Sequence, residues 1–152
     1  MHFTMDDSAA PDPNDLVRAL LSAQSRQLSV VTSVSCFDVW RDSLVEGSRQ
    51  SGDPPGGALG VLIALLADRN ESIRTAATSY FSGWRRLLAT TMRRLQERGR
   101  LRADADPEAL ATGLVAGVQG GYLRVKASGD PHHLVMAIEM ALERIRSFAD
   151  QG

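Results

Sequence analysis

The sequence predicts an all-α protein of six helices, and three observations carry that prediction. Apolar residues recur at three- and four-residue steps along most of the chain. No stretch alternates cleanly with period two, as a half-buried strand would. Helix-starting residues, above all the pairs Asp106-Pro107 and Asp130-Pro131, stand just ahead of the periodic segments.

Each element can be justified in order. Residues 1–13 (MHFTMDDSAAPDP) are polar and read as a flexible lead-in. Asn14 or Asp15 can cap a helix over 14–31, whose inner face carries Leu16, Val17, Leu20, Leu21, Gln24, Leu28 and Val31. The β-branched run VVTSVSC reads as its end and a turn. Phe37, Trp40, Leu44 and Val45 mark a short helix over 36–48. The glycines and prolines of 47–57 (GSRQSGDPPGG) give the strongest loop signal and the best candidate for a mobile segment. The run ALGVLIALLA at 58–67 is apolar all round and predicts a helix buried on most sides.

Asn70 starts the longest helix. Its stripe runs from Ile73 through Ala77, Tyr80, Phe81, Trp84, Leu88 and Met92 to Leu95, and Gly99 ends it. Its other face, with Arg74, Arg85, Arg86, Arg93 and Arg94, is expected to be solvated. The two Asp-Pro pairs then open helices over 107–127, stopped at Gly129, and over 131–149.

Composition narrows the functional classes. A chain of 152 residues with 43% hydrophobic and 23% charged residues fits one globular domain. A net charge of -1 provides no bulk attraction to nucleic acid or anionic lipid. Cys36 is the single cysteine, so no internal disulfide forms and a reducing compartment is expected. The longest apolar run is too short to span a bilayer, and the acidic N-terminus does not read as a secretory signal; the cytoplasm is the expected location. His132 and His133 are adjacent on a helix and point about 100° apart, so they do not chelate jointly; no metal or cofactor is expected. PPGGALG lacks a preceding strand and a Gly-Lys-Ser/Thr ending, so it is not a phosphate loop. No catalytic constellation stands out, and the seven arginines from Arg85 to Arg102 read as a solvated face.

Two features point to binding. Ala109, Gly113, Gly117 and Gly121 lie four apart, a ridge without large side chains on which another helix can lie close. Helix-interior glycine costs about 1 kcal/mol relative to alanine, so a packing reason is expected. In the last helix Leu134, Ile138, Ala141, Ile145 and Phe148 form one stripe; Val135, Leu142 and Ala149 form a second, widened by Met136 and Met140. The expected dimer interface is therefore Gly113, Gly117, Gly121, Leu134, Ile138, Ala141 and Ile145; the competing reading is that both helices are core. The second feature is aromatic. Trp40, Leu62, Tyr80, Phe81, Trp84, Leu88 and Met92 are the expected lining of a ligand pocket, with Tyr80, Trp40, Gln119 and Tyr122 supplying polar tips. The ligand would be flat or greasy with few charges, since no buried counter-charge is evident; the rival is a solid core.

The ordered segments GGALGVLIALLADRNESIRTAATSYFSGWRRLLATTMRRLQERGRL and ADPEALATGLVAGVQGGYL resemble the C-terminal domain of the tetracycline-repressor (TetR) family. The first matches a small-residue Gly-Leu helix, an acidic turn and a long helix with Phe-x-x-Trp; the second matches an Asp-Pro-x-x-Leu-Ala opening with a glycine-containing middle. The resemblance covers about 14–149. It implies a six-helix regulatory domain whose last two helices pair with their copies in a four-helix bundle. It also implies a ligand pocket among the preceding helices that controls the spacing of two DNA-reading heads. The family's N-terminal helix-turn-helix is not in this sequence, although His2-Phe3-Thr4 faintly resembles the end of its recognition helix. The chain is thus expected to bind DNA only where such a domain is supplied upstream, whether the start is truncated or the protein is headless. Three roles stay open: a ligand-sensing homodimerisation domain, which leads; a module forming mixed dimers with full-length relatives; and a small cofactor-free enzyme using an apolar cavity.

Overall fold

A computed structural model describes residues 12–50 and 70–149. Among them are five α-helices: α1 (Pro13–Ser29), α2 (Phe37–Gln50), α3 (Glu71–Glu97), α4 (Pro107–Ser128) and α5 (His132–Arg146). A 3₁₀ turn, Val34–Cys36, leads into α2. The expected helix at 58–67, and Leu62 with it, lies outside the described residues.

The helix starts follow from local chemistry. The α1 cap is Asp12, not Asn14 or Asp15: its carboxylate accepts from the Asn14 N–H at 2.9 Å, with Pro13 at the first helical position. Proline has no N–H to satisfy there, so the Asp-Pro pair opens α1 as it opens α4; at α5 the proline, Pro131, stands one place earlier, as the N-cap itself. Asp106 accepts from the N–H groups of Glu108 (3.1 Å) and Ala109 (3.2 Å). Asp130 accepts from His132 N–H at 2.9 Å. Asn70 caps α3 through the N–H groups of Ser72 and Ile73. Gly129, at φ +74°, closes α4 in the left-handed region that disfavours a Cβ.

The end of α5 differs from expectation. It stops at Arg146 rather than continuing to 149. The Phe148 carbonyl instead accepts from Arg102 N–H at 2.8 Å, and Leu101 pairs with Ala149 in an isolated antiparallel bridge. Two guanidiniums lie over the Phe148 ring, Arg144 at 4.7 Å and Arg102 at 5.7 Å from its centroid. These contacts with the α3–α4 loop offset the helical hydrogen bonds that the last residues give up.

The central element is α3, packed against α1 on one side and α4 on the other; α4 in turn lies along α5. The helices α4 and α5 approach closely because of glycine. A Cβ on Gly121 would sit 2.9 Å from Leu134 Cα, and one on Gly117 would sit 3.4 Å from the Ala137 carbonyl oxygen. Gly83 does the same for α1, since its Cβ would meet Leu21 Cδ1 at 2.8 Å. Arg94, expected on the solvated face, is half-buried and donates to the carbonyls of Leu28 (2.8 Å) and Val31 (2.9 Å). It thereby adds a charged donor at the C-terminal end of α1, where the Leu28 carbonyl already accepts from the Val31 N–H at 3.1 Å. Between α2 and α5 the ion pairs Arg41–Glu139, Arg146–Asp38 (2.6 Å) and Arg146–Glu139 (3.2 Å) form one cluster. Among the described residues no helix is long and apolar enough to cross a membrane.

Candidate functional site

The first candidate is an aromatic cluster built by α2 and α3 around one buried amide of α1. Tyr80, Trp84, Leu88 and Met92 are four residues apart on α3, so they share one face; all are buried. Phe81 joins them from the adjacent row, and Phe37 and Trp40 come from the first turn of α2. The Tyr80 and Trp84 rings stack at 5.8 Å, Trp40 lies 5.9 Å from Trp84, and Phe81 meets Tyr80 edge-on at 5.2 Å. These are contact distances for aromatic pairs, so the rings fill the space with one another.

Gln24 is the polar centre of this cluster. It is only 8% exposed, and its Oε1 accepts from both indoles, Trp40 Nε1 and Trp84 Nε1, each at 2.9 Å. One acceptor with two lone pairs thus satisfies two buried donors. The other buried polar side chain among the described residues is Thr91, which donates to the Leu87 carbonyl at 2.8 Å. No formal charge is buried here. Burial, and the proximity of Tyr122, push the Tyr80 phenol well above its ordinary range; burial alone takes Tyr122 up to about 12. Both phenols are therefore neutral at physiological pH.

Of the seven residues expected to line a pocket, Trp40, Tyr80, Phe81 and Trp84 make the ring cluster. Leu88 and Met92 lie in the same core one and two turns on, and Leu62 lies outside the described residues. Gln24 was legible only as a polar residue in an apolar stripe, between Leu20 and Leu28. That signal marks a buried amide with a partner to find.

The second candidate is an outward-facing groove of about 410 Å³ between α4 and α5, lined mainly by Ala109, Gly113, Gly117, Ala137, Met140 and Ala141. A Cβ on Gly113 would meet nothing within 4 Å, so this glycine opens the surface rather than admitting a helix of the same protomer. Met140 is 69% exposed and Met136 48%. The expected interface set therefore divides. Gly113, Gly117 and Ala141 line the groove. Gly121, Leu134, Ile138 and Ile145 do not; they are buried within the protomer, where they join α5 to α4. Of the two α5 stripes, the one chosen from spacing is the inner one. The second stripe is split: Leu142 is buried with the core, while Met136 and Met140 form an outward edge.

Among the described residues no group of three or more His, Cys, Asp or Glu side chains is placed to hold a metal ion. The Cys36 thiol is drawn down to about 7, first by a hydrogen bond with the Ser33 hydroxyl and then by the Thr32 backbone.

This helical arrangement is one that known transcription regulators share. It superimposes on regulatory protein TetR from Rhodobacter sphaeroides with a TM-score of 0.68 at 24% identity, over 86% of this chain and 72% of that one. A TetR-family regulator from Agrobacterium tumefaciens gives 0.67 at 19% identity, over 95% and 80%. Another from Cytophaga hutchinsonii gives 0.64 at 18%, over 91% and 68%. At these identities the likeness shows the fold. The family follows from the sequence: residues 37–141 match the model of the tetracyclin repressor-like, C-terminal domain, and the chain belongs to that family of transcriptional regulators. No curated protein sequence matches the chain.

Proposed function

We propose that this chain is the small-molecule-sensing and homodimerising part of a TetR-type transcriptional regulator, acting in the cytoplasm and not as an enzyme. The observation that carries the reading is the outward apolar groove on α4 and α5. Gly113 leaves room for a helix, and the exposed Met140, with Met136 beside it on α5, can adapt to a facing surface. A second copy laid two-fold across it would bury the same edge on both protomers, as an isologous interface requires. A stable dimer of this kind buries well over about 1,000 Å² in total. The occupant of the aromatic cluster would be a flat, neutral, apolar molecule. Charged groups have no buried counter-ion there, while two neutral phenols and the Gln24 amide offer hydrogen bonds. Because the rings touch one another, such a ligand would enter by displacing side chains, Trp40 of α2 among them.

Multi-angle light scattering at micromolar concentration tests the carrying observation. The unaltered chain should run as a dimer and Gly113→Leu as a folded monomer, because the new side chain fills the groove without meeting its own protomer. A monomeric unaltered chain would remove the interface from the proposal. Pairing only with a full-length relative would favour the mixed-dimer role instead.

A further inference from the structure

A third surface feature has chemistry unlike either candidate. Helices α3 and α4 leave a groove of about 310 Å³ between them. Its apolar lining is Phe81, Val115 and Ala116; its polar lining includes Arg85, Thr112 and Gln119. Thr78 and Ser82 carry it on into a wider polar trough toward the start of α3. The charge at the Arg85 end is unbalanced. Arg85 and Arg93 both pair with the one carboxylate of Glu108, one oxygen each, so two guanidiniums share a single negative charge. The carboxylate that caps α4, Asp106, is engaged by the backbone N–H groups of that helix's first turn. Arg85 is half-buried, so its attraction for an anion is less screened than that of a fully solvated arginine.

We infer that this groove binds a small amphipathic monocarboxylate, with the carboxylate on Arg85 and the hydrocarbon against Phe81, Val115 and Ala116. A guanidinium recognises a carboxylate through paired N–H donors, and the neighbouring amide and hydroxyl of Gln119 and Thr112 can serve its second oxygen. A groove at the small end of the ligand-site range suits a molecule of about ten non-hydrogen atoms. The site is separate from the aromatic cluster and does not depend on that cluster opening. It does touch it: the Phe81 ring contacts Tyr80 at 5.2 Å and Trp84 at 6.5 Å, so occupancy reaches a tryptophan.

The test is titration of the full chain with sodium octanoate, and with 1-octanol as the uncharged analogue, followed by ¹⁵N chemical shifts. Octanoate should bind with a Kd on the order of 1 mM and shift residues 78–85 and 112–119, with octanol about tenfold weaker. Two substitutions should move affinity in opposite directions. Arg85→Gln should weaken octanoate about tenfold, and Glu108→Gln, which frees the guanidiniums, should tighten it about threefold. Arg100→Gln, in the α3–α4 loop, should leave it unchanged. A merely structural effect would move both groove variants the same way. Equal binding of octanol, shifts confined to the α4–α5 groove, no binding at all, or the same sign for Arg85→Gln and Glu108→Gln would each overturn the inference.

Discussion

Replacing Gln24 by leucine removes one carbonyl and strands two indole donors. Trp40 and Trp84 are at most 2% exposed, and each indole N–H has Gln24 Oε1 as its acceptor at 2.9 Å. An unsatisfied buried donor costs about 1–3 kcal/mol, so two cost about 2–6 kcal/mol. Leucine has nearly the same reach and gains roughly 1 kcal/mol of apolar burial, which leaves a net loss of about 1–5 kcal/mol. For a chain of this length each kcal/mol moves the melting temperature by about 2–4 °C, so Gln24→Leu should melt roughly 10 °C lower. Urea unfolding followed by circular dichroism measures the loss, and the native-state tryptophan emission should change with it. A loss below about 0.5 kcal/mol with unchanged emission would refute the reasoning, because it would mean that both indoles have other partners.

Other consequences follow from the same geometry. Gly121→Val should destabilise the protomer by about 2 kcal/mol or more, since its Cβ would stand 2.9 Å from Leu134 Cα; thermal unfolding compared with Gly113→Leu separates the inner glycine from the outer one. The Glu139 carboxyl is held below its ordinary range by Arg146 and then Arg41, so its contribution to stability is full above the ordinary carboxylate pKa and disappears as pH falls through the lowered value. Glu139→Gln should flatten that acid limb in pH-dependent melts. Cys36 should be alkylated by iodoacetamide with a midpoint near pH 7, and Ser33→Ala should move the midpoint upward, since the largest cause of the lowered value is the serine hydrogen bond.

How much of this was legible in the sequence depends on whether the determinant is local. Helix starts at Asn70 and Asp106 and the stop at Gly129 are set by side-chain oxygens and left-handed glycine within a few residues, and they read directly; α5 starts one residue past the expected place, with Pro131 as its N-cap. Asp12 belongs to the same device but stands just inside the stretch read as lead-in. Stripes were legible; their neighbours were not. Spacing groups Leu134, Ile138 and Ile145 on one face of α5, but only tertiary packing tells that this face meets α4 of the same protomer while Met136 and Met140 look outward. Arg94 reads as one arginine among several, and its binding of two α1 carbonyls rests on residues more than sixty positions away. The early end of α5 had no local signal, since the loop strand at Leu101 and Arg102 is what holds Phe148 and Ala149. The pairing of Gln24 with two tryptophans on two other helices is of the same non-local kind.

Titration with a neutral, flat, apolar probe such as N-phenyl-1-naphthylamine tests the sensing role most directly, with tryptophan emission and thermal unfolding recorded on the same samples. Binding among the rings should saturate and quench or shift the emission of Trp40 and Trp84. It should also raise the melting temperature in proportion to the logarithm of probe concentration above its Kd. Emission and melting temperature that stay constant across the whole titration would contradict a ligand-sensing cluster and leave these aromatic side chains as a solid core.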